Sequence, residues 1–258
     1  MQKRKKLKIF TQVCFGILAL GHQSPMHAEN LVCTYGNPVL LKPTKRVEKF
    51  DNYTKEKMEK MLITLHSIEN AIGIAAPQIG ISESMAIVSF SSEMIQKYEE
   101  GKKKKISNVI LQDGKEVQNI LELMPFVFIN PSVQAIGTEK DKMVDGCLSL
   151  PGVYGFVERS HKIRLQYQDI EGIKHTLECD SLFAFCIQHE TDHLHGILFI
   201  DRLVEEKLMV DTMSPCWKKL SIYPELLQKK EASKEEILEV LKKLGTTFDY
   251  SKLKNPKN

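Results

Sequence analysis

The chain has 258 residues, 42% hydrophobic and 27% charged, an ordinary globular balance that is long enough for one large domain or two small ones. Its 14 glycines and 10 prolines exclude a collagen-like or low-complexity chain. The formal charge of +3 is local: five of the 36 basic side chains (Lys3, Arg4, Lys5, Lys6, Lys8) fall within residues 1–28, which hold no acid, leaving 31 basic against 33 acidic. Global charge therefore gives no footprint for nucleic acid.

In chain order, the basic start runs into an apolar stretch from Ile9 to Gly21, interrupted by Thr11 and Gln12. It falls short of the about 20 residues that a membrane-spanning helix needs. Basic flank, apolar run and the small residue Ala28 predict a secretory signal peptide over residues 1–28, and hence export. The alternative is an uncleaved extension on a cytoplasmic protein. No later stretch reaches transmembrane length. Six cysteines are present, Cys14, Cys33, Cys147, Cys179, Cys186 and Cys216. Five remain after the leader, without C-x-x-C, so a dense disulfide framework is excluded and at least one thiol stays unpaired.

Residues 30–47, with Pro38 and Pro43, read as extended and turn-rich. Asp51 is a candidate N-cap for a helix carrying Tyr53, Met58, Met61, Leu62, Leu65, Ile68 and Ile72, which Gly73 ends. A strand is expected over Met85–Phe90. Residues 91–124, with Lys102–Lys105 and the turn Gln112-Asp113-Gly114-Lys115, read as an exposed hairpin or loop insertion. Strands follow at Phe126–Ile129 and, beyond an Asn130-Pro131 break, at Ser132–Ile136. Three more are expected at Tyr154–Arg159, Ile163–Gln168 and Lys174–Cys179, the last two joined by a turn at Asp169–Gly172. Ser181 is read as the cap of a strongly apolar helix from Leu182 to about Leu194. The tail holds a further helix, opened by a capping box from Ser233 to Glu236 and bearing Ile237, Leu238, Val240, Leu241 and Leu244. Helix, β-rich middle and buried helix together argue for one α+β domain.

Three segments carry chemistry. In His189-Glu190-Thr191-Asp192-His193 the histidines stand one helical turn apart, about 40° around the axis, so both imidazoles reach one metal. Glu190 between them is placed to handle a proton on water. In Asp145-Gly146-Cys147-Leu148-Ser149 a thiol flanked by small residues offers a third ligand. In Gly73-Ile74-Ala75-Ala76-Pro77-Gln78 small residues permit close approach of backbone, and Gln78 supplies an amide donor.

By the identity, order and spacing of these segments, the chain resembles the peptide deformylases. Their motifs are G-x-G-Φ-A-A-x-Q, E-G-C-Φ-S and Q-H-E-x-D-H-Φ-x-G, with Φ apolar. They match Ala71–Gln78, Asp145–Ser149 and Gln188–Gly196, within a likeness that runs from about Pro38 to Leu203. The resemblance implies a single α+β domain over residues 29–206, with antiparallel sheets around a central buried helix that carries H-E-x-x-H. Residues 91–124 are then an insertion, and 207–258 a C-terminal extension with its helix. The implied metal ligands are Cys147, His189 and His193, with Glu190 as general acid/base and Gln78 and the Leu148 N–H as oxyanion donors. Ile72, Gly73 and Gly146 would line the peptide cleft, Phe185 and Cys186 would border the methionine pocket, and Arg159 would stand near the downstream end of the peptide. The implied cofactor is one divalent ion, Fe2+ in the family, with Zn2+, Ni2+ or Co2+ as substitutes. The implied partners are N-formylmethionyl peptides or nascent chains, from which formate is released. In an oxidising compartment Zn2+ would be the more durable occupant, and any disulfide would be drawn from Cys33, Cys179, Cys186 and Cys216. The chain departs from the motifs at Ala71, which adds a methyl group to the cleft wall, and at Asp145, which shortens the family's Glu. A third departure is Phe185, where an aliphatic residue is usual. A metalloprotease built on H-E-x-x-H is the alternative, but Leu194-His195-Gly196-Ile197 does not supply the extended ligand pattern it needs. Intact Glu190 and Gln78 argue against a non-catalytic binder of formyl peptides.

Overall fold

The computed structural model describes residues 31–205, 207–210, 231–243 and 247–249. Residues 1–28, read as a signal peptide, lie outside these, as do Cys14, Cys216 and Leu244. Strand β1 (Leu31–Cys33) precedes α1 (Asn52–Ser67), β2 (Gly73–Ala75) and β3 (Met85–Val88). Next come α2 (Ser92–Lys102), β4 (Ile110–Gln112) and β5 (Lys115–Glu116). Strands β6 (Phe126–Ala135), β7 (Lys140–Cys147), β8 (Leu150–Ser160), β9 (Lys162–Gln168) and β10 (Lys174–Asp180) then lead into α3 (Ser181–Leu194). The described chain closes with β11 (Lys207–Val210), β12 (Glu231–Ser233), α4 (Lys234–Lys243) and β13 (Thr247–Asp249).

The strands form three antiparallel sheets, ordered β2-β3-β6-β9-β10-β4-β5, β12-β11-β8-β7 and β1-β13. This is an α+β architecture, as expected. Helix α3 packs against β2, β3 and β10 of the large sheet and against β8 of the smaller one. It is buried on nearly every face, the signature of a helix inside a core rather than on it. Phe183, Ala184 and Ile187 join Phe126, Phe128 and Leu165, while Phe185 joins Leu150, Val153 and Phe199.

The structure departs from the sequence reading at several elements. Helix α1 is capped by Asp51, whose Oδ1 accepts the Thr54 N–H at 3.1 Å, and it buries Met58, Met61 and Leu65. It stops at Ser67, well before Gly73. Asn70 takes a left-handed φ of 60°, so the chain reverses in time for Gly73 to enter β2. Ser181 is not a side-chain cap but the first residue of α3, at φ 54°. The neighbouring Asp180 carboxylate turns away to accept hydrogen bonds from Ser107 and the N–H of Asn108. Asn130-Pro131 is a bulge within β6 rather than a break; the Asn130 amide holds both the N–H and C=O of Val47. The 91–124 segment contributes more than an exposed hairpin. It forms α2, adds β4 and β5 to the large sheet, and buries Ile106, Ile110 and Ile120. The described residues 207–210 are also built in, since β11 pairs with β8 and buries Leu208. The predicted capping box forms, with Ser233 Oγ accepting the Glu236 N–H and Glu236 Oε2 accepting the Ser233 N–H. Among the described residues no helix is long and apolar enough to cross a membrane.

Two turns of the large sheet are tied by His175, whose Nδ1 lies 2.8 Å from Asp113 Oδ2 and Nε2 3.0 Å from Asp169 Oδ2. Burial opposes its charge, but the hydrogen bonds to the two carboxylates outweigh burial and raise its pKa. Stability from a raised histidine pKa is fully present below its unfolded value of about 6.5 and is lost as pH rises through the folded value. His175→Gln is therefore expected to lower the unfolding midpoint by about 1–3 °C at pH 6, for interactions worth about 0.5–1 kcal/mol in a domain of this size. The gap between variant and parent should close at pH 9. An equal gap at both pH values in thermal melts would contradict this.

Candidate metal centre

Three distant segments converge at one end of α3. His189 and His193 present imidazoles with ring centroids 5.0 Å apart and planes at 75°. Cys147 ends β7, where the register against β8 shifts between Gly146 and Cys147, so that Cys147 stands opposite Leu150 in a tight connection. Its Sγ lies 3.1 Å from His193 Nε2. One ligand atom from each of Cys147, His189 and His193 falls within 4.8 Å of the others.

The chemistry of these donors fits a single divalent transition metal. His189 Nδ1 lies 2.9 Å from Asp145 Oδ1, so Asp145 holds that nitrogen protonated and leaves Nε2 as the ligand, the usual carboxylate–histidine arrangement. Burial opposes a charge on His189, but Asp145 and the Cys147 sulfur raise its pKa well above the ordinary value. A cation at Nε2 takes the place of that extra proton. Burial, with His189 beside it, lowers the His193 pKa well below the ordinary value, so this imidazole is neutral and has a lone pair to give. The Cys147 sulfur accepts the Ser149 N–H at 3.3 Å and faces Gln78 Nε2 at 3.5 Å. One sulfur and two imidazole nitrogens suit Zn2+ or Fe2+ rather than Ca2+ or Mg2+.

Glu190 is buried beside this cluster. Burial lifts its carboxyl to about 7 despite the nearby His189, and Oε2 has no hydrogen-bond partner among the described residues. The Oε1 atom presses on Gly73, where an added Cβ would stand 2.2 Å from it. Only glycine fits against that carboxylate. Gln78 sits in the 3-10 turn Ala76–Ile79. Its Oε1 accepts the Ala75 N–H at 2.8 Å, which aims Nε2 at Cys147 and at Ser149 Oγ, 3.3 Å away. Gly146 faces Tyr154 across the β7–β8 pair, and a Cβ there would come within 2.6 Å of that ring. Leu148 follows Cys147 directly, with its side chain against the cluster of Met61, Leu65 and Ile74. Ile72 and Gly73 lead into β2, the strand at one end of the large sheet.

The resemblance put Arg159 near the downstream end of the peptide; in the structure its side chain is only 3% exposed. It lies between carboxylates, with NH2 2.9 Å from Asp145 Oδ2 and NH1 2.6 Å from Asp192 Oδ2. A guanidinium at that depth requires such partners. The shorter Asp145 nonetheless reaches both His189 and Arg159. Burial resists its charge, but these two neighbours bring its carboxyl down to about 2. Ala71 packs, partly buried, against the cluster of Met58, Met61 and Leu65. Phe185 and Cys186 are both buried, in different apolar clusters on either flank of α3, and the Arg159 guanidinium lies 5.0 Å from the Phe185 ring centroid. His195 is structural, its Nδ1 2.9 Å from the Thr191 carbonyl. All four described cysteines are free. Burial pushes the Cys33, Cys179 and Cys186 thiols up, which leaves them unreactive.

Sequence reasoning passed over Asp192, Arg202 and Tyr154. Asp192 carried a usable signal: an acid on a helix buried on all sides demands a cationic partner.

The family described as polypeptide deformylase matches residues 30–209. Peptide deformylase 1 of Nostoc sp. is 32% identical over 69% of this chain and 81% of its own length. The peptide deformylase of Prochlorococcus marinus strain MIT 9515 is 34% identical over 67% of this chain and 71% of its own. Among solved structures, a peptide deformylase from Synechococcus elongatus in complex with actinonin is 32% identical, with a TM-score of 0.54 over 72% of this chain and 85% of that one. A Plasmodium falciparum peptide deformylase is 27% identical, with a TM-score of 0.55 over 82% and 95%.

Purified protein is expected to hold one divalent ion per chain. Replacing Cys147 and His193 together by Ala should reduce this below a tenth of an ion by elemental analysis. Full metal content in that double variant would remove the assignment of the site.

Proposed function

The chain belongs to the peptide deformylase family of metal-dependent hydrolases that remove formyl groups, and we propose that it acts on N-formylmethionyl peptides through the site around Cys147, His189, Glu190 and His193. One observation carries this reading. Two imidazoles and a thiol meet at one point, and beside them lies a buried carboxyl with one oxygen that has no partner among the described residues. Neither the metalloprotease nor the non-catalytic reading is favoured. Fe2+ is the cation implied by the resemblance, and the donor set also accommodates Zn2+, Ni2+ or Co2+.

When bound, the cation supplies Lewis acidity toward the formyl carbonyl and the attacking water. The protein supplies orientation and proton transfer. Glu190 Oε2 accepts a proton from the water and returns it to the leaving amine nitrogen, so that formate and a free amino terminus are the products. A carboxyl held near neutrality is suited to both transfers. Gln78 Nε2 and the Leu148 N–H are the donors assigned to the carbonyl oxygen. Ile72, Gly73 and Gly146 are assigned to the peptide backbone, and Phe185 and Cys186 to the methionine side chain.

Glu190→Gln keeps the shape of the side chain and removes the base. Formate release is expected to fall by about two to four orders of magnitude while metal content stays at one ion per chain. Near-normal formate release by this variant would refute the role.

We also propose that residues 1–28 direct export, on the strength of their basic start and short apolar run. N-terminal sequencing of protein from fractionated native cells should begin at Glu29. Recovery with Met1 in the cytosol would overturn this.

A further inference from the structure

The carboxylate of Asp192 is shared. Arg159 NH1 donates to Oδ2 at 2.6 Å from one side. From the other, Arg202 donates through Nε to Oδ2 and through NH2 to Oδ1, both at 2.6 Å. Arg159 passes on to Asp145, and Asp145 to His189 Nδ1. The result is an unbroken chain, Arg202–Asp192–Arg159–Asp145–His189, in which two guanidiniums balance two carboxylates. It runs from the surface into the core: the Arg202 side chain is 43% exposed, that of Asp192 10% and that of Arg159 3%.

Arg202 is itself held. It ends the 3-10 turn Phe199–Asp201, its N–H bonded to the Phe199 carbonyl at 3.0 Å. Phe199 and Ile200 are buried. Lys234, at the start of α4, donates to the Ile200 carbonyl at 2.8 Å and lies 3.7 Å from Asp201 Oδ1.

We propose that Arg202 is a positioning residue for the metal centre, fixing the His189 imidazole through Asp192, Arg159 and Asp145. The proposal rests on the reading of His189 as a metal ligand. A bidentate fork from Arg202 fixes both oxygens of Asp192. Without it, Asp192 Oδ1 loses the partner that sets its plane, and Arg159 and Asp145 lose their fixed ends. Electrostatics and geometry predict opposite results for metal retention. Loss of one positive charge alone favours a cation, whereas a loosened ligand releases it.

The test compares wild type, Arg202→Met and Arg202→Lys, each loaded with Zn2+ or Co2+. Release of metal to a chelator is expected to be about tenfold faster in Arg202→Met, the lower end of the effect of losing an outer partner of a ligand. Arg202→Lys, which keeps the charge but cannot form the fork, should be intermediate and serves alone if Arg202→Met does not fold. The visible bands of the Co2+ form should shift, and kcat should fall while KM stays within about twofold. Lys142→Met, which breaks a surface pair with Glu205, is the control and should change none of these. Release at the wild-type rate or slower, with an unshifted Co2+ spectrum, would overturn the proposal and leave the ligand assignment standing. A wild type that binds no ion would overturn both.

Discussion

The site depends on one constraint: α3 carries His189, Glu190, Asp192 and His193 into a helix buried on nearly all sides. Removing ionised groups from water costs several kcal/mol each unless they are paired. Each member of this set meets the cost differently. Asp192 is neutralised by Arg159 and Arg202, and His189 by Asp145. His193 stays uncharged, and Glu190 is held near neutrality. The Arg159 guanidinium, between Asp145 and Asp192, links the pairs. The hydrophobic packing of Phe183, Phe185 and Ile187 drives the helix inward, and the charge chain makes that burial tolerable.

The sheets bring the remaining groups to this helix. Strand β2 runs so close to α3 that Gly73 leaves no room for a side chain against Glu190. The β7–β8 pair ends in a shifted register that carries Cys147 to His193. The fit is close, because a Cβ at Gly73 or Gly146 would meet Glu190 or Tyr154 well inside van der Waals distance. Rigid elements on both sides of α3 thus hold a thiol, two imidazoles, a carboxyl and an amide at one point. This preorganisation is what a hydrolase uses to stabilise developing charge without rearranging its surroundings.

The described residues after 206 belong to the same arrangement. Leu208, Ala232 and Ile237 join Phe185, Leu198 and Phe199 in one apolar cluster. Lys234 grips the turn that presents Arg202. The first described strand, β1, pairs with the last, β13. Strand β1 also packs against the 3-10 segment that bears Gln78.

The sequence alone determined what is local or carried by residue identity. The i, i+4 spacing of His189 and His193 is a property of any helix. The apolar run from Leu182 to Leu194 announces a buried one, and the caps at Asp51 and Ser233 are bonds made within three residues. Cys147 and Gln78 were legible as site residues because their motifs carried the family resemblance. The placement of Arg159 was not legible, since its partners Asp145 and Asp192 lie 14 and 33 positions away in sequence. Nor did propensity show that residues 91–124 extend the large sheet, or that α1 ends at Ser67. Those outcomes follow from strand pairing and from the reversal at Asn70. Only the tertiary structure decided which charge faces which, because the free energy of a buried ion depends on partners that folding brings from elsewhere in the chain.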